Sequence, residues 1–164
     1  MPSVAVGCAR LHKLANFLDK LPNSHFRFDA ICYIFPKSQT NKCGTVGCAM
    51  GWTPTVFPKL IGVQKSYHDH DHELTSFFMR TGNVNRDKKQ DLEYDEAAVK
   101  LFGIPGEHAR AVFAPGSAGP QGGPELSGGA HPSSVAKRLR AYAKWWMKQS
   151  AAEKEYERVC VTSM

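Results

Sequence analysis

Apolar residues recur every three or four positions along the stretch 8–21. The apolar residues at helical spacing there are Leu11, Leu14, Ala15, Leu18 and Leu21, and charged or amide side chains take most of the other positions. Pro22 then blocks a continuation, because proline lacks the backbone N–H that a helix interior uses. The pattern predicts an amphipathic first helix that buries its leucines.

The same spacing returns near the C-terminus, where it predicts a long basic amphipathic helix over 132–158. Its apolar face carries Val135, Leu139, Tyr142 and Trp146. A basic stripe lies elsewhere on the helix and consists of Lys137, Arg140, Lys144 and Lys148. We expect the apolar face to pack on the rest of the molecule and the basic stripe to point to solvent.

Between these two helices the periodicity is less regular. The aromatic and β-branched stretch 26–35 fits either a buried strand or a short helix. The stretch 45–52 predicts a short helix that Thr45 can cap, with Pro54 and Pro58 limiting its continuation.

Residues 63–93 are polar at both ends around an apolar island, Leu74 and Phe77 to Met79. This pattern predicts a loop-rich polar insertion with room for a small hairpin. The stretch 94–114 predicts two short helices that meet at a corner, because Gly103 can end the first and Pro105 can start the second.

The stretch 115–131 is rich in Gly, Pro and Ser and has no apolar periodicity. It predicts a flexible linker before the last helix. Together the patterns predict a mainly α, compact single-domain protein of about five helices. Its first part, 8–62, would be helical and would hold a Cys/Gly motif.

The composition of the chain indicates its cellular compartment and its net charge. The chain has 164 residues, a formal net charge of +6 and five cysteines, an odd number scattered over a chain that needs no disulfide staples. No stretch resembles an export leader or a membrane span, so we expect a cytoplasmic protein without a membrane partner. The sequence pI near 9.1 favours an acidic protein surface or nucleic acid as a partner.

The motif NKCGTVGCAMGW, 41–52, is the most distinctive string of the chain. Gly47 and Gly51 are four positions apart, so on a helix they would share one face and let another backbone approach closely. Cys48 and Trp52 would then fill a small core at that crossing, with the first helix as partner. This packing interpretation is our first expectation for the motif.

A cysteine nucleophile is a second interpretation. Cys43 precedes the predicted short helix and Cys48 lies inside it, where unpaired N–H groups lower a thiol pKa. The candidate bases are His25, His108 and His131. The alternative function would be that of a cysteine-dependent hydrolase or transferase.

Zinc binding is a third interpretation, although no cofactor is our first expectation. Cys43 and Cys48 are one ligand pair, and the run H-D-H-D-H supplies His68, His70 and His72. Cys and His delivered in close pairs are the usual ligands of structural zinc. The protein would then be a zinc-stabilised binding module.

The string CGTVGCAMGW also resembles a C-G-T-x-x-C-x-x-G-W signature of uncharacterised small bacteriophage and bacterial proteins. The resemblance extends over about 8–60 and 94–145, including the leucine-rich first helix and the string AAVKLFGIPGEHARAVFAP. It implies a phage-type or bacterial protein that acts in the cytoplasm, the host cytoplasm if a phage encodes it. It assigns no catalytic residue.

The sequence therefore predicts a small accessory protein that binds a host macromolecule and has no catalytic activity. A host or phage protein is the first candidate partner, and nucleic acid is the second. The candidate binding residues are those of the basic stripe together with Trp145, which offers a stacking face.

Overall fold

The computed structural model describes residues 1–26, 28, 48–66, 74–83, 87 and 90–162. In these ranges five α-helices and one antiparallel pair of strands form a mostly helical fold, as the sequence predicted. A single 3-10 turn occupies Asn23–His25. The helices and strands are α1 (Val4–Leu18), α2 (Thr53–Val56), β1 (Ile61–Ser66), β2 (Leu74–Met79), α3 (Tyr94–Phe102), α4 (Gly106–Phe113) and α5 (Pro132–Thr162).

Helix α1 begins four residues before the predicted start and ends at Leu18 rather than Leu21. The earlier start follows from Ser3, whose hydroxyl accepts a hydrogen bond from the backbone N–H of Val6 at 3.4 Å. This bond satisfies one of the N–H groups that a helix leaves unpaired at its first turn. Leu11, Leu14 and Leu18 are fully buried as predicted, whereas Leu21 lies beyond the end of the helix and is partly buried.

Helices α1 and α5 pack against each other and contribute the central part of the core. Near the start of α1, the Cys8 thiol donates to the carbonyl oxygen of Ala143 at 3.3 Å. At the other end of α1, Asp19 binds Arg140, which lies earlier in α5. The predicted apolar face of α5 is confirmed, since Val135, Leu139 and Tyr142 are fully buried and Trp146 is partly buried.

Helix α3 crosses α1 at a glycine. An ideal Cβ on Gly7 would lie 1.8 Å from the carbonyl oxygen of Phe102, so only a hydrogen fits between the two backbones. Three residues further along α1, the guanidinium of Arg10 donates to the carbonyl oxygen of Leu101 at 2.6 Å. That bond satisfies a carbonyl that the end of α3 leaves unpaired.

The corner between α3 and α4 forms as predicted. Gly103 ends α3 in the left-handed conformation, with φ 69°, and Pro105 precedes the first residue of α4. The buried carboxylate of Asp95 accepts a hydrogen bond from Nε of Arg110 at 2.6 Å. This ion pair joins the first turn of α3 to the second half of α4.

The Cys/Gly motif differs from its prediction in the part that the structure describes. Residues 48–52 form a turn rather than a helix, and α2 begins only at Thr53, with Pro54 in its first turn. Proline is favourable there because the first turn does not use its missing N–H. Trp52 packs on Phe17 of α1 at a ring distance of 5.6 Å, so the motif does contact the first helix. Residues 29–47, which include most of the ambiguous stretch 26–35, lie outside the described ranges.

The predicted polar insertion holds a hairpin. Strands β1 and β2 pair in antiparallel register from Ile61 opposite Met79 to Ser66 opposite Leu74. The apolar island of the sequence is thus strand β2, whose Phe77 is fully buried. Phe77 also exchanges two backbone hydrogen bonds with Leu92, at 2.9 and 3.0 Å, which ties the hairpin to the segment before α3.

The stretch 115–131 has no helix or strand, as predicted, but hydrogen bonds anchor it to the body. Arg138, which is only 5% exposed, donates to the carbonyl oxygens of Ser117 and Pro124 in this stretch. Gly128 accepts a hydrogen bond from the backbone N–H of Phe28 at 3.2 Å. The prediction of a flexible linker overlooked these bonds, because sequence periodicity does not report contacts to a distant arginine.

Candidate functional site

Three lysines of the predicted basic stripe are exposed along one side of α5. They are Lys137, Lys144 and Lys148, which we call the lysine face. At 100° per residue their Cα atoms fall within an arc of about 40°, and they extend over about 16 Å of helix. Among the residues whose side chains the structure describes, which end at Ala151 in this helix, the ion pairs are Arg110–Asp95 and Arg140–Asp19, and neither involves these lysines. The lysine face therefore presents three cationic groups to solvent.

Arg140, the fourth residue of the stripe, faces α1 instead. Its Nη2 donates to the side-chain oxygen of Asn16 at 2.8 Å and also to a carboxylate oxygen of Asp19. The guanidinium is about one-third exposed. Arg140 thus joins α5 to the end of α1, and its charge is partly neutralised by Asp19.

Trp145 lies on the opposite edge of the lysine face from Arg140, about 60° around the helix from Lys148. Its ring is partly buried among three others, which with it form what we call the aromatic cluster. The ring centres lie 5.5 Å away for His108, 5.7 Å for Tyr142 and 6.1 Å for Trp146. Helix α4 contributes His108 and thereby holds the tryptophan ring against α5.

The base of the aromatic cluster is a hydrogen bond between His108 and Tyr142. Nδ1 of His108 lies 3.0 Å from the hydroxyl oxygen of Tyr142. Burial raises the pKa of the Tyr142 hydroxyl well above its ordinary value, with a further contribution from the nearby Cys8 thiol. Tyr142 therefore stays a neutral hydroxyl that can donate to or accept from the imidazole.

The indole nitrogen of Trp146 is buried and has no hydrogen-bond partner among the described residues. Its ring meets that of His108 almost at a right angle, 89°, at a centre distance of 5.4 Å. Edge-to-face contact of this kind is a favourable arrangement of aromatic rings. Trp146 consequently supports the cluster through ring contacts rather than through a hydrogen bond.

The candidate nucleophile Cys48 is buried, with 3% of its surface exposed. Its sulfur accepts a hydrogen bond from the backbone N–H of Gly51 at 3.2 Å, so it holds the turn of the Cys/Gly motif. Cys43 lies outside the described residues. Cys8 was not singled out from the sequence, and burial raises the pKa of its thiol, which disfavours the reactive thiolate.

The candidate bases make contacts of other kinds. His108 binds Tyr142, and Nδ1 of His131 lies 2.8 Å from the hydroxyl oxygen of Ser133. The backbone oxygen of His25 accepts a hydrogen bond from the indole N–H of Trp52 at 3.2 Å. The described contacts thus pair none of these imidazoles with Cys48.

The predicted zinc ligands Cys43, His68, His70 and His72 lie outside the described residues. Within the ranges that the structure does describe, no group of three or more His, Cys, Asp and Glu side chains is arranged to hold a metal. Zinc therefore stays a prediction from the sequence. Of its candidate ligands, the structure places only Cys48.

Arg138 was not a candidate from the sequence, yet it makes more hydrogen bonds than any other side chain described in α5. It donates to the carbonyl oxygens of Ala111 at 3.4 Å and Ala114 at 3.3 Å, in addition to its two bonds to the stretch 115–131. Its guanidinium also lies over the ring of Phe28, at 5.5 Å. Burial lowers the pKa of Arg138 from its ordinary value. The sequence could have indicated that Arg138 is buried, because it comes three residues after Val135 and therefore lies on the apolar face.

Comparison with known proteins returned no match to a family model, a curated protein or a solved structure. The likeness of the Cys/Gly motif to the phage and bacterial signature thus stays an expectation from the sequence. Among the helices described, none is both long and apolar enough to cross a membrane. The site must therefore be interpreted from its own geometry.

Proposed function

We propose that this protein is a small non-catalytic accessory protein that binds a negatively charged macromolecule through the lysine face of α5. The observation that carries the proposal is the alignment of Lys137, Lys144 and Lys148 on one exposed side of a single helix. Cations grouped in this way attract anionic surfaces and raise the rate of encounter with them. A phage or bacterial cytoplasm is the proposed setting.

The rigidity of α5 supports this role. The helix is fixed on the body by the buried Leu139 and Tyr142 and by the bonds of Arg140 to α1. The three lysines therefore keep their relative spacing before any partner arrives, and binding would order only their side chains. Such preorganisation reduces the entropy lost on association.

The test compares two triple variants with equal charge. In the first, Lys137, Lys144 and Lys148 are replaced by Gln, which keeps a good helix former in place. In the control, three exposed lysines on other parts of the surface, Lys20, Lys59 and Lys100, are replaced by Gln instead. Arg140 is left unchanged, because its loss would also loosen the contact with α1.

Each protein is eluted from immobilised heparin with a salt gradient. The proposal expects the lysine-face variant to elute at clearly lower salt than the control variant, although both have the same net charge. Equal elution of the two variants would show that only total charge matters, and the proposed binding face would then be wrong. Matching circular dichroism spectra and thermal midpoints would confirm that both variants are folded.

A further inference from the structure

The lysine face and the aromatic cluster meet at Trp145, which follows Lys144 and precedes Lys148 by three residues. We infer that the anionic partner is a single-stranded nucleic acid, with lysines binding its phosphates and Trp145 stacking on a base. The inference rests on the proposed function, since it names the partner of the same site. It goes further because it assigns the aromatic cluster a part in recognition.

The first argument is the order of the chemical groups across α5. The lysines fill an arc of about 40°, and Trp145 comes next on the side facing α4. A nucleotide presents its phosphate and its base side by side in the same way. Single-strand binding sites combine a cationic track for the backbone with aromatic side chains on which the bases stack.

The second argument is that the tryptophan ring is already fixed. His108, Tyr142 and Trp146 surround it with ring centres between 5.5 and 6.1 Å, and Tyr142 is fully buried and bonded to His108. Trp145 as a residue nevertheless stays partly exposed. A partly exposed ring held by three neighbours loses little conformational freedom when a base stacks on it.

The third argument distinguishes single strands from the two competing partners. An acidic protein surface would satisfy the lysines, but it does not supply a flat ring beside each anionic group as a nucleotide does. Base pairs in a duplex are stacked on each other, so their faces cannot reach an indole that α4 holds against α5. Unstacked bases of a single strand use the lysines and the ring together.

The experiment measures the anisotropy of a fluorescein-labelled oligothymidine of about twelve nucleotides, a length within the usual site sizes of single-strand binders. The wild type is compared with the lysine-face Gln variant, Trp145→Ala and Trp145→Phe at several salt concentrations. A duplex of the same length and polyglutamate serve as unlabelled competitors. Thermal midpoints are recorded for every variant.

The inference expects two different signatures. Loss of the three lysines should reduce the slope of log affinity against log salt by about 2, because single strands release about 0.7 counterions for each phosphate contact. Trp145→Ala should weaken binding by about 5- to 150-fold with little change in that slope, because stacking does not involve counterions. Trp145→Phe keeps a ring and should recover most of the affinity.

Three results would overturn the inference while leaving the proposed function in place, and the third concerns the Trp145→Phe variant. The first is that the duplex or polyglutamate competes as well as the single strand. The second is that Trp145→Ala binds like wild type while the lysine-face variant binds less well. If neither the oligonucleotide nor heparin depends on the lysine face, the proposed function itself fails. A Trp145→Phe variant that is folded but binds no better than Trp145→Ala also contradicts the stacking role.

Discussion

Replacing Gly7 by Ala should force α1 away from α3. The added Cβ would lie 1.8 Å from the carbonyl oxygen of Phe102, so the backbones must separate by roughly 1.6 Å to reach ordinary contact. Overpacking of this kind costs about 1–3 kcal/mol. The separation also stretches the bond from Arg10 to Leu101, a charged hydrogen bond worth about 1.5–3 kcal/mol.

The substitution also stabilises α1 by about 1 kcal/mol, because alanine has a higher helix propensity than glycine. The net loss in the free energy of unfolding should be about 1.5–5 kcal/mol. For a chain of this size that corresponds to a fall in thermal midpoint of about 3–20 °C. The measurement is urea denaturation followed by circular dichroism, with calorimetry for the midpoint.

Gly106→Ala is the matched control. Gly106 is exposed at the start of α4, and a Cβ there would meet only the side chain of Val99, at 3.9 Å. Its replacement should change stability by less than about 0.5 kcal/mol. If Gly7→Ala behaves like this control, the close crossing of α1 and α3 is not real. Arg10→Met adds a second check, since its effect should be smaller in the Gly7→Ala background, where the bond is already strained.

Two further perturbations test bonds away from this crossing. Arg138→Met should lower the free energy of unfolding, measured by urea denaturation, by about 2–4 kcal/mol, because it leaves partly buried carbonyl oxygens without a donor. Arg138→Lys should restore only part of this loss, since an ammonium group cannot span the same acceptors. Wild-type stability in the Met variant would show that these carbonyls are solvated without Arg138. Hydrogen bonds from Thr81 are the main cause that lowers the pKa of the Asp87 carboxyl below its ordinary value. The ionised carboxylate therefore stabilises the fold fully above the unfolded carboxyl pKa of about 3.9. This stabilisation is lost as the pH falls through the lower pKa of the folded state. The difference in thermal midpoint between wild type and Asp87→Asn should therefore shrink between pH 6 and pH 3, and a constant difference would contradict the role of the ionised carboxylate.

Sequence spacing was sufficient for the helices that bury a regular apolar stripe. The leucines of α1 and the residues Val135, Leu139 and Tyr142 of α5 are at the core positions that their periodicity predicted. Gly103 and Pro105 likewise marked the corner between α3 and α4. These predictions succeeded because each depends on a local property, either the helical repeat or a backbone preference.

The errors have a common cause in contacts between distant residues. Residues 48–52 have helix-compatible side chains, but the structure makes them a turn that the Cys48 sulfur holds. A close glycine contact that the sequence did not predict is found at Gly7, where α3 approaches α1, while the contact predicted at Gly47 and Gly51 stays a prediction. A sequence read locally cannot tell which of several glycines will face another backbone.

The candidate site was predicted only in part, because contacts between distant residues also determine its composition. Helical spacing placed Lys137, Lys144 and Lys148 on one side of α5, where the structure has them exposed. It could not separate Arg140 from them, because the acceptors Asn16 and Asp19 are more than 120 residues away. Nor could it find His108 as the neighbour of Trp145, since α4 is a separate element.

The pairing of α1 with α5 joins parts of the chain that are far apart in sequence, as the bond from Cys8 to a residue 135 positions later illustrates. On the ribosome, α1 emerges before α5, and its leucines must wait for all the intervening residues before their partner helix is made. Contacts between such distant residues slow folding, and apolar surface exposed meanwhile favours aggregation. Nascent chains that stall before α5 should therefore be good chaperone clients, and a circular permutant that places α5 directly before α1 should fold faster than the natural order.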